Sequence, residues 1–133
     1  MVHKTEPKIN DAYDLFTYDR VISNFGLHYQ EKSHIFICPL SGVYQFSVSL
    51  LSQNEPNVIS HAKIMLENKF QGSVFSGTDQ DATNGQQASI TTITECLAGN
   101  RVWVEAGNTN NQKVAGWGEE PYTSFSGFLL FLM

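Results

Sequence analysis

Two carboxylates, Asp79 and Asp81, stand two residues apart in a stretch that also holds Thr78 and Asn84. Hard oxygen donors set so close together, with backbone carbonyls around them, are what calcium takes. A lone D-x-D is also an ordinary solvated turn in an acidic protein, and the pattern by itself leans to that reading. A second group, Trp117, Glu119, Glu120 and Tyr122, combines large rings with charge. Trp and Tyr offer broad contact area with a polar handle, as binding hot spots do. These four, with Asn108 and Asn110 from the polar stretch before them, are the candidate ligand contacts. Trp117 packed at a subunit interface is the competing reading.

Catalysis finds no such footing. His3, His28, His34 and His61 are dispersed, without H-E-x-x-H or paired zinc spacing. No Gly-x-Ser-x-Gly elbow is present, and no glycine-rich phosphate loop leads into a helix. Cys38 and Cys96 both sit in apolar, strand-like contexts, where a thiol behaves as a small hydrophobe and not as a thiolate nucleophile. They are expected reduced and buried, with a single disulfide as the alternative. The chain therefore reads as a binding protein and not an enzyme, with no certain cofactor and calcium as the candidate metal.

The elements that must carry these residues are strands. A chain of 133 residues, 41% hydrophobic and 16% charged, makes one globular domain. Its net charge of −5 and eight scattered Lys and Arg argue against a nucleic-acid partner, which needs clustered cations. No apolar run is long enough to span a membrane. The opening residues lack a leader's apolar stretch, so either the protein is cytosolic or a leader lies outside these residues. None of the ten asparagines begins an N-x-Ser/Thr sequon.

Residues 1–14 are polar with Pro7 and read as an arm, or as a diverged or trimmed first strand; residues 15–133 form the domain. Residues 42–51 are the clearest strand, with Tyr44, Phe46, Val48 and Leu50 alternating with Gln45, Ser47 and Ser49. Further strands are expected over 15–23, 35–38, 58–66, 70–75, 89–97, 101–106 and 124–133, with polar loops at 76–87 and 107–113. Many short strands at regular spacing mean a sandwich or jelly roll. The last strand is apolar on both faces: Phe125, Leu129 and Phe131 on one, Phe128, Leu130 and Leu132 on the other. Trp103 sits opposite to Val102 and Val104. One face of a sandwich strand meets the core and the other meets water. So Trp103, Phe128, Leu130 and Leu132 are expected to be covered by a neighbouring subunit, a covering loop being the plainer alternative.

Four segments carry a resemblance. Phe36-Ile37-Cys38-Pro39-Leu40-Ser41-Gly42-Val43-Tyr44-Gln45-Phe46 resembles the F-x-C-P-x-x-G-x-Y-x-F signature of the C1q-like family. Tyr18-Asp19-Arg20-Val21-Ile22-Ser23-Asn24 is similar to its F-D-x-V-x-x-N strand. Leu97 to Val104 is similar to its strand ending in V-W-V, with Asn100 where Asp is usual and Cys96 where Leu is usual. Thr123 to Phe131 resembles its closing S-T-F-S-G-F-L-L-Y strand. Ser76 to Asp81 and Gly116-Trp117-Gly118 look most like the cerebellin branch.

The resemblance implies a ten-stranded jelly roll, shared with tumour necrosis factor ligands, that is secreted and assembles as a homotrimer. It implies recognition of a protein receptor, a glycan or a microbial surface, with innate-immune pattern recognition as the leading role. A receptor-engaging signalling ligand or synaptic organiser of the cerebellin or tumour necrosis factor type is the alternative. It also implies that some relatives hold calcium through acidic residues near Asp79. No collagen-like stalk is present here, which weakens any complement-style coupling to proteases.

Overall fold

The computed structural model describes the chain except for residues 7, 25, 27, 82, 83, 109 and 117–122. The strand that alternation marks most clearly, β6 (Gly42–Leu51), sits deep in one sheet, because both of its edges find partners. That sheet runs β3 (Arg20–Val21), β1 (Val2–His3), β12 (Ser124–Leu132), β6, β9 (Gln87–Cys96). The facing sheet runs β4 (Tyr29–Gln30), β5 (Ile35–Ile37), β10 (Arg101–Ala106), β7 (Ile59–Leu66), β8 (Lys69–Gly77). A short pair, β2 (Lys8–Asn10) with β11 (Gln112–Val114), stands beside them. Among the described residues all pairings are antiparallel, and the two five-stranded sheets make the ten strands of a jelly-roll-like sandwich.

The core is what alternation predicts. Tyr44, Phe46, Val48 and Leu50 from β6 meet Ile64, Val102 and Val104 from the facing sheet, all essentially closed to solvent. Phe46 stacks on Tyr44 and on Phe125 and meets the edge of Phe36 at 5.4 Å between ring centres. Gly127 is required here: a Cβ on it would lie 2.5 Å from the Phe46 ring. The F-S-G-F sequence of β12 is thus a packing device, with the missing side chain making room for Phe46.

Two short stretches near the start form strands, Val2–His3 in the first sheet and Lys8–Asn10 in the small pair. Val2 pairs with both Phe125 and Val21, and Asn10 pairs with Gln112. Lys4 is also enclosed, its backbone N–H donating to Thr123 O at 3.0 Å. Its ammonium donates to Thr17 O and lies over the rings of Phe16 and Tyr18, at 5.2 and 5.4 Å. Burial among those rings lowers its pKa to about 8. The β7–β8 hairpin turns on Glu67 and Asn68, both at positive φ (54° and 101°), the two-residue geometry that matches strand twist. Glu67 tolerates that backbone while its carboxylate accepts from Arg101 N, Nε and Nη2.

Candidate functional site

Because the Tyr44, Phe46, Val48 and Leu50 side chains point inward, Val43, Gln45, Ser47 and Ser49 point outward, and register carries that face across three strands. One row is Phe128, Gln45, Ile93; the next is Phe131, Val43, Glu95. Farther along lie Ser126, Ser47 and Thr91, with Ser47 Oγ and Thr91 Oγ1 hydrogen bonded at 2.9 Å. The outer face is therefore apolar at one end and lined by hydroxyls at the other. Phe128 is 51% exposed, Phe131 60% and Ile93 63%, with Leu130 also open.

The face differs from the sequence expectation in one particular. A register shift between Leu129 and Phe131 places Phe131 opposite Val43 and Leu132 opposite Gly42. A bulge adds a residue to one strand and so reverses the in–out order beyond it. Phe131 therefore joins Phe128 on the outer face, and Leu132, expected there, takes the other side, although the strand's end leaves it exposed. Trp103 does not share this surface. It pairs with Met65 in the opposite sheet and is half-buried.

A second apolar feature has no marker of its own in the sequence. Phe70 and Phe75, 59% and 61% exposed, lie on β8, an edge strand of the second sheet. β8 packs on β9, the edge of the first sheet: Gly72 lies against Thr92 and Ile90, and Thr94 Oγ1 bonds Gln71 Oε1 at 2.9 Å. Both edges thus lie on one side of the sandwich. A cleft of about 640 Å³ also opens next to Phe128, walled by Phe36, Tyr44, Phe125, Leu129 and Leu40.

The polar loops hold what the sequence placed on them in part. Asp79 and Asp81 are exposed on a polar recess with Asn84 and Gln86. Asp79 Oδ1 already accepts the Asp81 N–H at 3.0 Å, and Thr78 Oγ1 is tied to Glu55 O and Val58 N. Calcium asks for six to eight oxygens, and no group of three or more His, Cys, Asp or Glu able to hold a metal exists among the described residues. Asp79 and Asp81 alone supply fewer oxygens than that. Asn108 and Asn110 are exposed, and Asn110 Oδ1 accepts the Ala12 N–H at 3.0 Å, so part of this loop is pinned to the N-terminal segment. Trp117, Glu119, Glu120 and Tyr122 lie outside the described residues. Cys38 and Cys96 are both buried, and burial pushes the Cys38 thiol far above its ordinary value, which makes it a poor nucleophile. No helix among the described residues is long and apolar enough to cross a membrane.

A two-sheet jelly-roll sandwich with an apolar outer stripe defines a class, and the comparisons give its family. The C1q domain family matches residues 1–130, and this chain belongs to it. The mouse collagen alpha-1(X) chain is 26% identical over 113 residues, 85% of this chain and 16% of that protein. Complement C1q tumor necrosis factor-related protein 2 is 27% identical over 117 residues in mouse and in human, 86% of this chain and 37% or 38% of that protein. The chain thus spans well under half the length of these relatives. Among solved structures, the globular domain of zebrafish complement 1qA matches with a TM-score of 0.73 at 19% identity, covering 99% of this chain and 96% of that one. The Eiger tumor necrosis factor from S. frugiperda matches at 0.68 with 11% identity, covering 99% and 90%. At such identities both speak for the fold alone.

Proposed function

We propose that this chain is a secreted recognition module that binds protein or carbohydrate ligands as a homotrimer. The carrying observation is the apolar end of the first sheet's outer face, Phe128, Leu130, Phe131 and Ile93, which its own domain leaves open. Large exposed apolar groups in one patch call for a cover. A two-fold dimer needs one self-complementary patch, whereas a closed ring needs two different ones. The flat stripe on β12 and the Phe70–Phe75 edge are two such patches on different sheets, which supports a ring. Assembly then leaves the loops to meet ligand, because loops on a rigid β scaffold are where binding resides. Three copies make weak sites useful on repetitive surfaces by raising effective concentration.

Trp117, Glu119, Glu120 and Tyr122, with Asn108 and Asn110, are the proposed ligand contacts. A glycan and bacterial-surface binding panel on the trimer tests this. Specific binding lost in Trp117→Ala, with the trimer mass unchanged, supports pattern recognition. A clean negative favours the signalling reading, for which the cerebellin-like 76–81 loop, with Asp79 and Asp81 exposed, is the supporting feature. A Trp117→Ala protein that falls to monomers places that residue at the interface instead.

A further inference from the structure

Cys38 and Cys96 lie 58 positions apart, yet they meet at one end of the sandwich. Cys38 follows β5 of the second sheet, and Cys96 closes β9 of the first, opposite Gly42. Both side chains are closed to solvent, at 0% and 1% exposure. Both side chains belong to one buried core cluster, and each lies close enough to the other to perturb its proton. Their backbones are held too. Cys38 N donates to Asn100 O at 2.9 Å, and Cys38 O accepts from Gly99 N at 2.8 Å. Ser41 Oγ accepts from Ala98 N at 2.9 Å, while Leu40 N and O both bond the Tyr44 hydroxyl. The turn after β5 and the turn after β9 are therefore zipped together around the pair. A disulfide asks its two backbones to lie close together, and these hydrogen bonds draw the two segments together at the pair.

We propose that Cys38 and Cys96 are an oxidative cross-linking site, closing to an intramolecular disulfide that clasps the two sheets at this end of the sandwich. The oxidant is a disulfide, such as glutathione disulfide. One cysteine thiolate attacks it, forming a mixed disulfide and releasing one thiol. The second cysteine then attacks the mixed disulfide, forming the Cys38–Cys96 bond and releasing the second thiol. The pair gives up two electrons and two protons in all, and the oxidant takes up both as its S–S bond becomes two thiols.

Burial decides the kinetics. The reacting species is the thiolate, and an apolar site holds both thiols neutral. Exchange with the closed domain is accordingly slow, and the bond forms during folding or when this end opens. Once formed it is shielded by the same packing that slowed it. The clasp closes a long chain loop, so its stabilising effect through the unfolded state is large.

The test is to refold the denatured full chain in a glutathione redox buffer and, separately, in dithiothreitol. Each product is denatured, alkylated without reduction, digested and weighed. The expected result is a peptide pair joined through Cys38 and Cys96 in the oxidised sample, with both cysteines alkylated in the reduced one. Thermal melting should then be higher for the oxidised protein by roughly 10 °C, a difference absent from Cys38→Ala and from Cys96→Ala. Dithiothreitol added to the folded oxidised protein should leave the bond intact for far longer than the same reductant in denaturant. Two alkylated thiols after oxidative refolding, or glutathione caught on each cysteine without the cross-link, would overturn the proposal. So would a cross-link that forms only between chains. None of these outcomes depends on oligomeric state or ligand, so the clasp and the functional proposal stand or fall separately.

Discussion

Phe128→Asp is the most informative perturbation of the proposed assembly. The ring is 51% exposed in the single chain, so roughly 100 Å² of an aromatic side chain of about 200 Å² is open to water. At about 25 cal/mol per Å², covering it stabilises each protomer by about 2.5 kcal/mol. Three copies in one ring make about 7.5 kcal/mol, or five powers of ten in the association constant of a trimer. The concentration at which half the trimer dissociates then rises by about 10²- to 10³-fold, before any cost of burying three carboxylates. The domain's own fold should survive, because Phe128 faces outward opposite Gln45 and not Phe46 or Tyr44. Light scattering or sedimentation across a dilution series reads the mass, and far-ultraviolet circular dichroism checks the fold. Phe128→Leu, which keeps an apolar group, should stay close to the parent. A parent that weighs one subunit at micromolar concentration would refute the reasoning, as would an Asp variant that remains a trimer with unchanged dissociation.

Lys4→Met tests the enclosed ammonium. The folded pKa of about 8 lies below the ordinary 10.5 because of burial first and Lys8 second, so between these values the unfolded chain binds more protons and stability rises with pH. From pH 8 to 9 the parent should gain about 1 kcal/mol relative to the variant. Denaturant melts at both pH values check this, and equal slopes would refute it; the window stops there because Cys38, Tyr18 and Tyr29, all held neutral by burial, lose stability at higher pH. Asn68→Gly should raise the melting temperature by a degree or two, since glycine takes the φ of 101° without strain; a lower melting temperature would show that the Asn68 side chain supports the turn. Asp79→Ala with Asp81→Ala should melt alike in calcium and in chelator, because a ligand stabilises only a state that binds it. A calcium-dependent gain in the parent that the double variant loses would reveal a site completed by residues beyond these two.

Much of this protein was legible because a strand writes its two faces into alternate residues. Gly42–Leu51 and Arg101–Ala106 form strands over the residues that alternation marks, and the core side chains of β6 are the four that it selects. The four family-like segments also lie in the order the fold uses, and residues 1–130 match the family. Alternation is a local property, and its authority ends where the backbone leaves the regular ladder. One extra residue between Leu129 and Phe131 exchanges the faces of Phe131 and Leu132, and nothing in Phe128-Leu129-Leu130-Phe131-Leu132 marks where that residue falls. Val2 and Lys4 are enclosed because β12, β3 and the 16–18 segment close around them, not because of any pattern of their own. Exposure at Phe70, Phe75 and Ile93 follows from where β8 and β9 sit, at the sheets' edges. The meeting of Cys38 with Cys96 likewise belongs to the closed sandwich. Residue types and their spacing determined the strands and the family. Partners distant in the chain decided which groups are buried, which are left open and which cysteines share one end of the sandwich, because burial is a property of the packed whole.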